Sequence, residues 1–83
     1  MNTTIETMTK QLTDALAPTV LEIIDDSADH IGHYASGGHY TVKIASGKFA
    51  DLSRLESHQL VYEALGDLMK EEIHALRIEI IKE

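Results

Sequence analysis

The segment Tyr40-Thr41-Val42-Lys43-Ile44-Ala45 sets large apolar side chains alternately with polar or small ones, the period-two pattern of a strand with one face buried and the other wet. A buried strand face needs a covering layer, and the flanking sequence offers one on each side. Upstream, Val20 to Asp26 is short, apolar and β-branched in its middle, and bounded by Pro18 and the polar run Asp25-Asp26-Ser27, so it reads as another strand. Before it, Ile5, Met8, Leu12, Ala15 and Leu16 recur at three- and four-residue spacings, which predicts an amphipathic helix over about 4–17. Thr3 and Glu6 have capping-box spacing at its start, and Pro18 disfavours helical geometry at Ala17.

Downstream, Gly47 closes the strand, and Ser53 with Glu56 repeats the capping-box spacing ahead of Leu60, Val61, Ala64, Leu65, Leu68 and Met69. That pattern predicts a second helix over about 54–69. From Ile73 to Ile81, His74, Leu76, Ile78 and Ile80 alternate with Ala75, Arg77 and Glu79, a third strand with one apolar face. The order α-β-β-α-β implies an α+β fold, a two-layer sandwich in which two helices cover one face of a three-stranded sheet. With no internal repeat and no low-complexity tract, residues 1–83 read as a single domain.

Charge and composition exclude several functions. Seven Lys and Arg against fourteen Asp and Glu leave a net charge of −7, which repels phosphate backbones and disfavours a nucleic-acid partner. The basic residues are scattered among acids, and the aromatics do not interleave with them as a stacking platform requires. Cysteine is absent, so the chain has no disulfide framework, no zinc–thiolate site and no thiol nucleophile, in keeping with a reducing compartment. The N-terminus has no basic and apolar leader pattern and no apolar run reaches the ~18 residues of a membrane span, so the expectation is a cytoplasmic protein with no membrane partner. Neither a nucleophile elbow nor a phosphate-cradling glycine motif is present, and no enzyme is indicated.

What stands out is five histidines in 83 residues. His30, His33 and His39 lie in or beside the long segment between the first two strands, His58 near the start of the second helix, and His74 at the opening of the third strand. Imidazole offers a neutral nitrogen ligand, so such a set can hold metal; solvated surface and a hydrogen-bonded core position are the competing structural readings. The spacing His30-x-x-His33 lacks a third anchor of its own. Asp25, Asp26 and Asp29 read as a solvated turn, with paired general acid–base work or a hard-cation site as the alternatives. His58, read in the first turn of its helix, is disfavoured as a cation by the helix dipole.

An ordered set of pieces spans nearly the whole chain: Asp-Asp-Ser at 25–27, His30 with Gly32-His33, Gly-Gly-His-Tyr at 37–40, Phe49, Ser-His-Gln-Leu-Val-Tyr at 57–62, and Ile-His-Ala-Leu at 73–76. Together they resemble the BolA family, whose α-β-β-α-β core is related to the KH type II arrangement. The resemblance implies a non-enzymatic partner of monothiol glutaredoxins that shares a glutathione-dependent [2Fe–2S] cluster in iron–sulfur trafficking or iron regulation. It also implies metal ligands: the histidine of the closing His-Ala-Leu motif, here His74, and a second from the loop between the first two strands, here His33, with His30 as the alternative. A chain without thiols cannot hold such a cluster alone. A glutaredoxin cysteine and the glutathione thiol would fill two positions and two imidazoles the others, a ligand composition like that of a Rieske centre.

The chain departs from the family pattern in two places. Phe49-Ala50-Asp51 stands where Phe-x-Gly is common, and Ser57-His58 where Arg-His is common, which removes a charge that could meet nucleic acid or a partner's carboxylate. A second reading, also implied by the family, is a DNA-binding transcriptional regulator using the KH-like fold, although a G-x-x-G backbone clamp is missing. A third is a zinc or nickel carrier acting through the loop histidines.

Overall fold

Seven short elements follow one another in the computed structural model, which describes residues 3–26, 38–71 and 73–81, the side chains of Glu71 and His74 excepted. They are α1 (Thr3–Leu16), β1 (Val20–Asp25), β2 (Gly38–Ala45), a 3-10 turn (Gly47–Phe49), α2 (Arg54–Leu65), α3 (Leu68–Glu71) and β3 (Ile73–Ile80). The sheet order is β1-β2-β3. β1 runs antiparallel to β2 and β3 parallel to it; the parallel pair requires the long crossover that α2 and α3 supply.

Tyr40, Val42 and Ile44 of β2 point into the core, where they meet Met8, Leu12 and Leu16 of α1 and Val61 and Leu65 of α2. Their alternation is the one read from the sequence, and the α+β sandwich stands as expected. On the opposite face of β2, Thr41 and Ala45 are also buried, because a central strand is flanked by neighbours on both sides. The register places Glu22, Lys43 and Glu79 side by side on that face, with Lys43 Nζ 3.8 Å from Glu79. Such an exposed pair contributes little to stability.

Polar ties join the elements where apolar packing ends. The buried Ser46 hydroxyl donates to the Leu16 carbonyl (2.6 Å) and accepts from the Lys48 N–H (3.1 Å), so the end of α1 is fastened to the end of β2. With its amide nitrogen turned toward α2, Gln11 donates to the carbonyls of Leu65 (3.0 Å) and Ala64 (3.1 Å), which satisfies orphan acceptors at that helix end.

Several boundaries differ from the sequence reading. α1 already includes Thr3, which is therefore not its cap, and ends at Leu16. Ala17 leaves the helix with a φ of 44°, the left-handed geometry common after a helix end, with Pro18 preventing continuation. Ala15 is exposed rather than in the core, because it lies at the rim of the stripe centred on Met8, Leu12 and Leu16. The helix expected over 54–69 breaks at Gly66, whose φ of 54° only glycine adopts readily, and restarts as α3. The 3-10 turn after β2 carries no periodicity and was not foreseen. The Ser53–Glu56 capping box is present in both directions, at 3.1 and 3.0 Å.

Two outcomes follow for stability. Leu12→Ala, at a fully buried position, lowers the unfolding free energy in urea by about 2–5 kcal/mol. The Ser53 backbone N–H, and then its hydroxyl, hold the Glu56 carboxyl below its ordinary value. Because the folded value is the lower one, this contribution is full above the unfolded value of 4.5 and vanishes as pH falls through the folded one. The stability gap between the native chain and Glu56→Gln therefore closes in acid, as thermal melts on either side of that pH will show.

Candidate metal centre at the start of the third strand

β2 and β3 do not keep step along their whole length. Gly38 pairs with Ile73 and the next residue, His39, with Ala75, so His74 has no partner on β2 and the ladder is irregular there. An extra residue on one strand is a β-bulge, a device that interrupts pairing and bends the strand locally. The bulge also shifts the strand's phase. Ile73 is only 4 % exposed and lies opposite Gly38 on the core face, although its sequence parity is that of the solvent-facing Ala75, Arg77 and Glu79. The alternation read across His74, Leu76, Ile78 and Ile80 thus holds from Leu76 onward, and His74 falls at the discontinuity. No local pattern in the sequence signals that slip.

The surroundings of the bulge are held from both sides. At the end of β1, the Asp26 N–H donates to the His39 carbonyl (2.7 Å), while the Asp26 carboxylate accepts from the Thr41 hydroxyl (2.5 Å). Asp26 is thus built into the sheet, rather than lying in a wholly solvated turn. Gly38 is matched to the Tyr40 ring: a Cβ at Gly38 would lie 2.5–2.8 Å from its atoms, and Tyr40 is itself buried. The close approach had a possible signal in the two-residue spacing of Gly38 and Tyr40, which places both on one strand face.

Of the candidate ligands, His74 is placed on β3 by its backbone; His33 and His30, like Asp29, lie outside the described residues. The described chain stops at Asp26, bonded to His39, and resumes at Gly38, which pairs with Ile73 next to His74. Among the described residues no group of three or more His, Cys, Asp or Glu is arranged to hold a metal ion. His39 is half-buried in β2. His58 sits in the second turn of α2, which begins at Arg54, rather than in the first; its Nε2 is buried without a partner among the described residues.

Comparison with known proteins gives a consistent likeness. Residues 12–83 match the family model described as BolA-like protein. "BolA-like protein 1" of Mus musculus is 38% identical over 69 residues, covering 83% of this chain and 50% of that protein. "DNA-binding transcriptional regulator BolA" of Vibrio cholerae is 36% identical over 69 residues, covering 83% of this chain and 65% of that protein. The chain spans about half the length of the mammalian relatives it matches. In structure it is similar to the BolA domain of SufE1 from Arabidopsis thaliana, with a TM-score of 0.87 at 30% identity, covering 99% of this chain and 94% of that one.

The Gly38–Tyr40 fit yields a direct test of how this end is built. Gly38→Ala displaces the buried ring, costs about 1–3 kcal/mol as overpacking does, and changes the tyrosine signals in near-ultraviolet circular dichroism.

Proposed function

Because this chain belongs to the BolA-like protein family, we propose that it is a non-enzymatic partner of a monothiol glutaredoxin, sharing with it and with glutathione a [2Fe–2S] cluster in iron–sulfur trafficking or iron regulation. One observation carries the reading. His74 is the residue of β3 left without a partner on β2, next to the Gly38–Ile73 pair, and Gly38 follows closely in sequence on His30 and His33. Four residues lie between His33 and Gly38, five steps along the chain with a covalent reach of at most ~18 Å, so a loop imidazole and His74 can serve one centre.

The donor chemistry fits a split site. With no cysteine, this chain brings only nitrogen, and the sulfur that iron–sulfur clusters require comes from the glutaredoxin cysteine and the glutathione thiol. His74 supplies one imidazole, and His33, or His30 in its place, the other. The bound cluster supplies the exchangeable iron and sulfide; the chain's own residues hold one side of it, and neutral imidazole is the ligating form, so protons compete with the metal.

A second reading, DNA binding, has one observation in its favour: a relative carries the name "DNA-binding transcriptional regulator BolA". The net charge of −7 weighs against it.

His74→Ala decides the ligand assignment. Reconstituted anaerobically with a monothiol glutaredoxin and glutathione, the variant loses the visible absorption of the mixed complex while its far-ultraviolet circular dichroism stays native. In the unaltered complex the absorption is retained near pH 8 and declines below about pH 6. A normal spectrum from the variant, or retention that stays flat down to about pH 5, overturns it.

A further inference from the structure

The far end of β3 carries a second feature, about 20 Å along the strand from His74 at the usual rise per residue. β3 is an edge strand. At its end the Ile81 N–H donates to the Ile44 carbonyl (2.8 Å), which fixes the phase of the parallel ladder: Glu79 and Arg77 turn their backbone groups toward β2, and Ile78 and Ile80 turn theirs outward. No hydrogen bond occupies those outward groups among the described residues. Beside them lies a groove of about 780 Å³ between β3 and the segment entering α2. Phe49, Leu52, Ile78 and Ile80 give it apolar walls, the buried Ser57 belongs to its lining, and Arg54 stands at its side.

We propose that this edge and groove bind an extended peptide segment by strand addition, its apolar side chains entering the groove and one carboxylate meeting Arg54. The backbone dictates the shape of the occupant. Outward N–H and C=O groups on alternate residues match another extended chain and do not match a helix, whose own groups are already paired. The volume admits a few side chains, not a domain. Arg54 has no ion-pair partner among the described residues, while the groove's acid, Glu79, faces Lys43 at 3.8 Å, so the charge left to satisfy there is positive. Over the ~8 Å at which salt screens charges, a carboxylate placed at Arg54 is screened from the acids on the far side of the chain. A second copy would bring another net charge of −7 to the same edge, which favours a foreign peptide over self-pairing. The groove is separate from the histidine end, and the proposal stands or falls independently of the cluster.

The test is a nuclear magnetic resonance titration of the 83-residue chain with the peptide Thr-Val-Thr-Val-Thr-Val-Asp, acetylated at its N-terminus and amidated at its C-terminus so that the Asp side chain is its one carboxylate. Three comparisons accompany it: the peptide ending in Asn-amide, the peptide N-methylated at alternate residues, and the Arg54→Ala chain, which alters an exposed position in the first turn of α2. Strand addition predicts shifts confined to residues 49–57 and 78–81, slowed amide exchange at Ile78 and Ile80, and no binding by the N-methylated peptide that blocks the ladder. Loss of the carboxylate or of Arg54 weakens binding by roughly threefold to tenfold, as for a partly exposed charged contact. Shifts centred on the open sheet face or on β1, binding indifferent to N-methylation or to Arg54→Ala, or no binding at millimolar peptide overturns the proposal. So does protection of Ile78 and Ile80 in the chain alone with dimer formation, which would assign the edge to a second copy.

Discussion

Burial of one face of β2 against the two helices is the constraint on which everything else depends. Tyr40, Val42 and Ile44 are held between Met8, Leu12 and Leu16 on one helix and Val61 and Leu65 on the other. In a chain of 83 residues the apolar surface available for burial is small, so a strand flanked on both edges and packed on one face is where most of it is gathered. β1 and β3 take their positions from β2, and the two ends of the sheet take their properties from the way each neighbour meets it.

At one end, the demand that β3 keep its apolar residues over the core collides with the register of the pair. Ile73 and Leu76 both belong to the core side, yet they stand three positions apart, an odd spacing that regular alternation cannot accommodate. The bulge resolves this by taking His74 out of the ladder. Gly38, the strand residue opposite Ile73, leaves room for the Tyr40 ring, and Asp26 ties the end of β1 to Thr41 and His39. A packing requirement has thereby left His74 out of the ladder, next to the pair that Gly38 makes with Ile73.

At the other end the constraint is one of coverage. α1 is fastened to the end of β2 through Ser46, whereas among the described residues the outward backbone groups of β3 have no hydrogen-bond partner next to an apolar groove. A long uncovered edge invites another strand. Arg77 and Glu79 on the solvent side of the strand give it charge that discourages indiscriminate pairing. The two ends of β3 thus differ in kind: one presents an irregular backbone and an imidazole-bearing residue, the other a regular ladder and a side-chain groove.

Local pattern was enough to make the fold legible. The alternation at 40–45, the stripe of Met8, Leu12 and Leu16, and the Ser53–Glu56 cap each depend on side chains within a few residues of one another, and for such features spacing along the chain is spacing in space. The ordered histidine, glycine and tyrosine pieces likewise made the family legible and singled out His74. The split at Gly66, the slip at His74, the fit of Gly38 to Tyr40 and the groove assembled from the 3-10 turn, α2 and β3 were decided only in three dimensions. Each depends on which residues of distant segments come to lie opposite one another, and strand register, set by packing across the whole core, carries no trace in any single stretch of sequence.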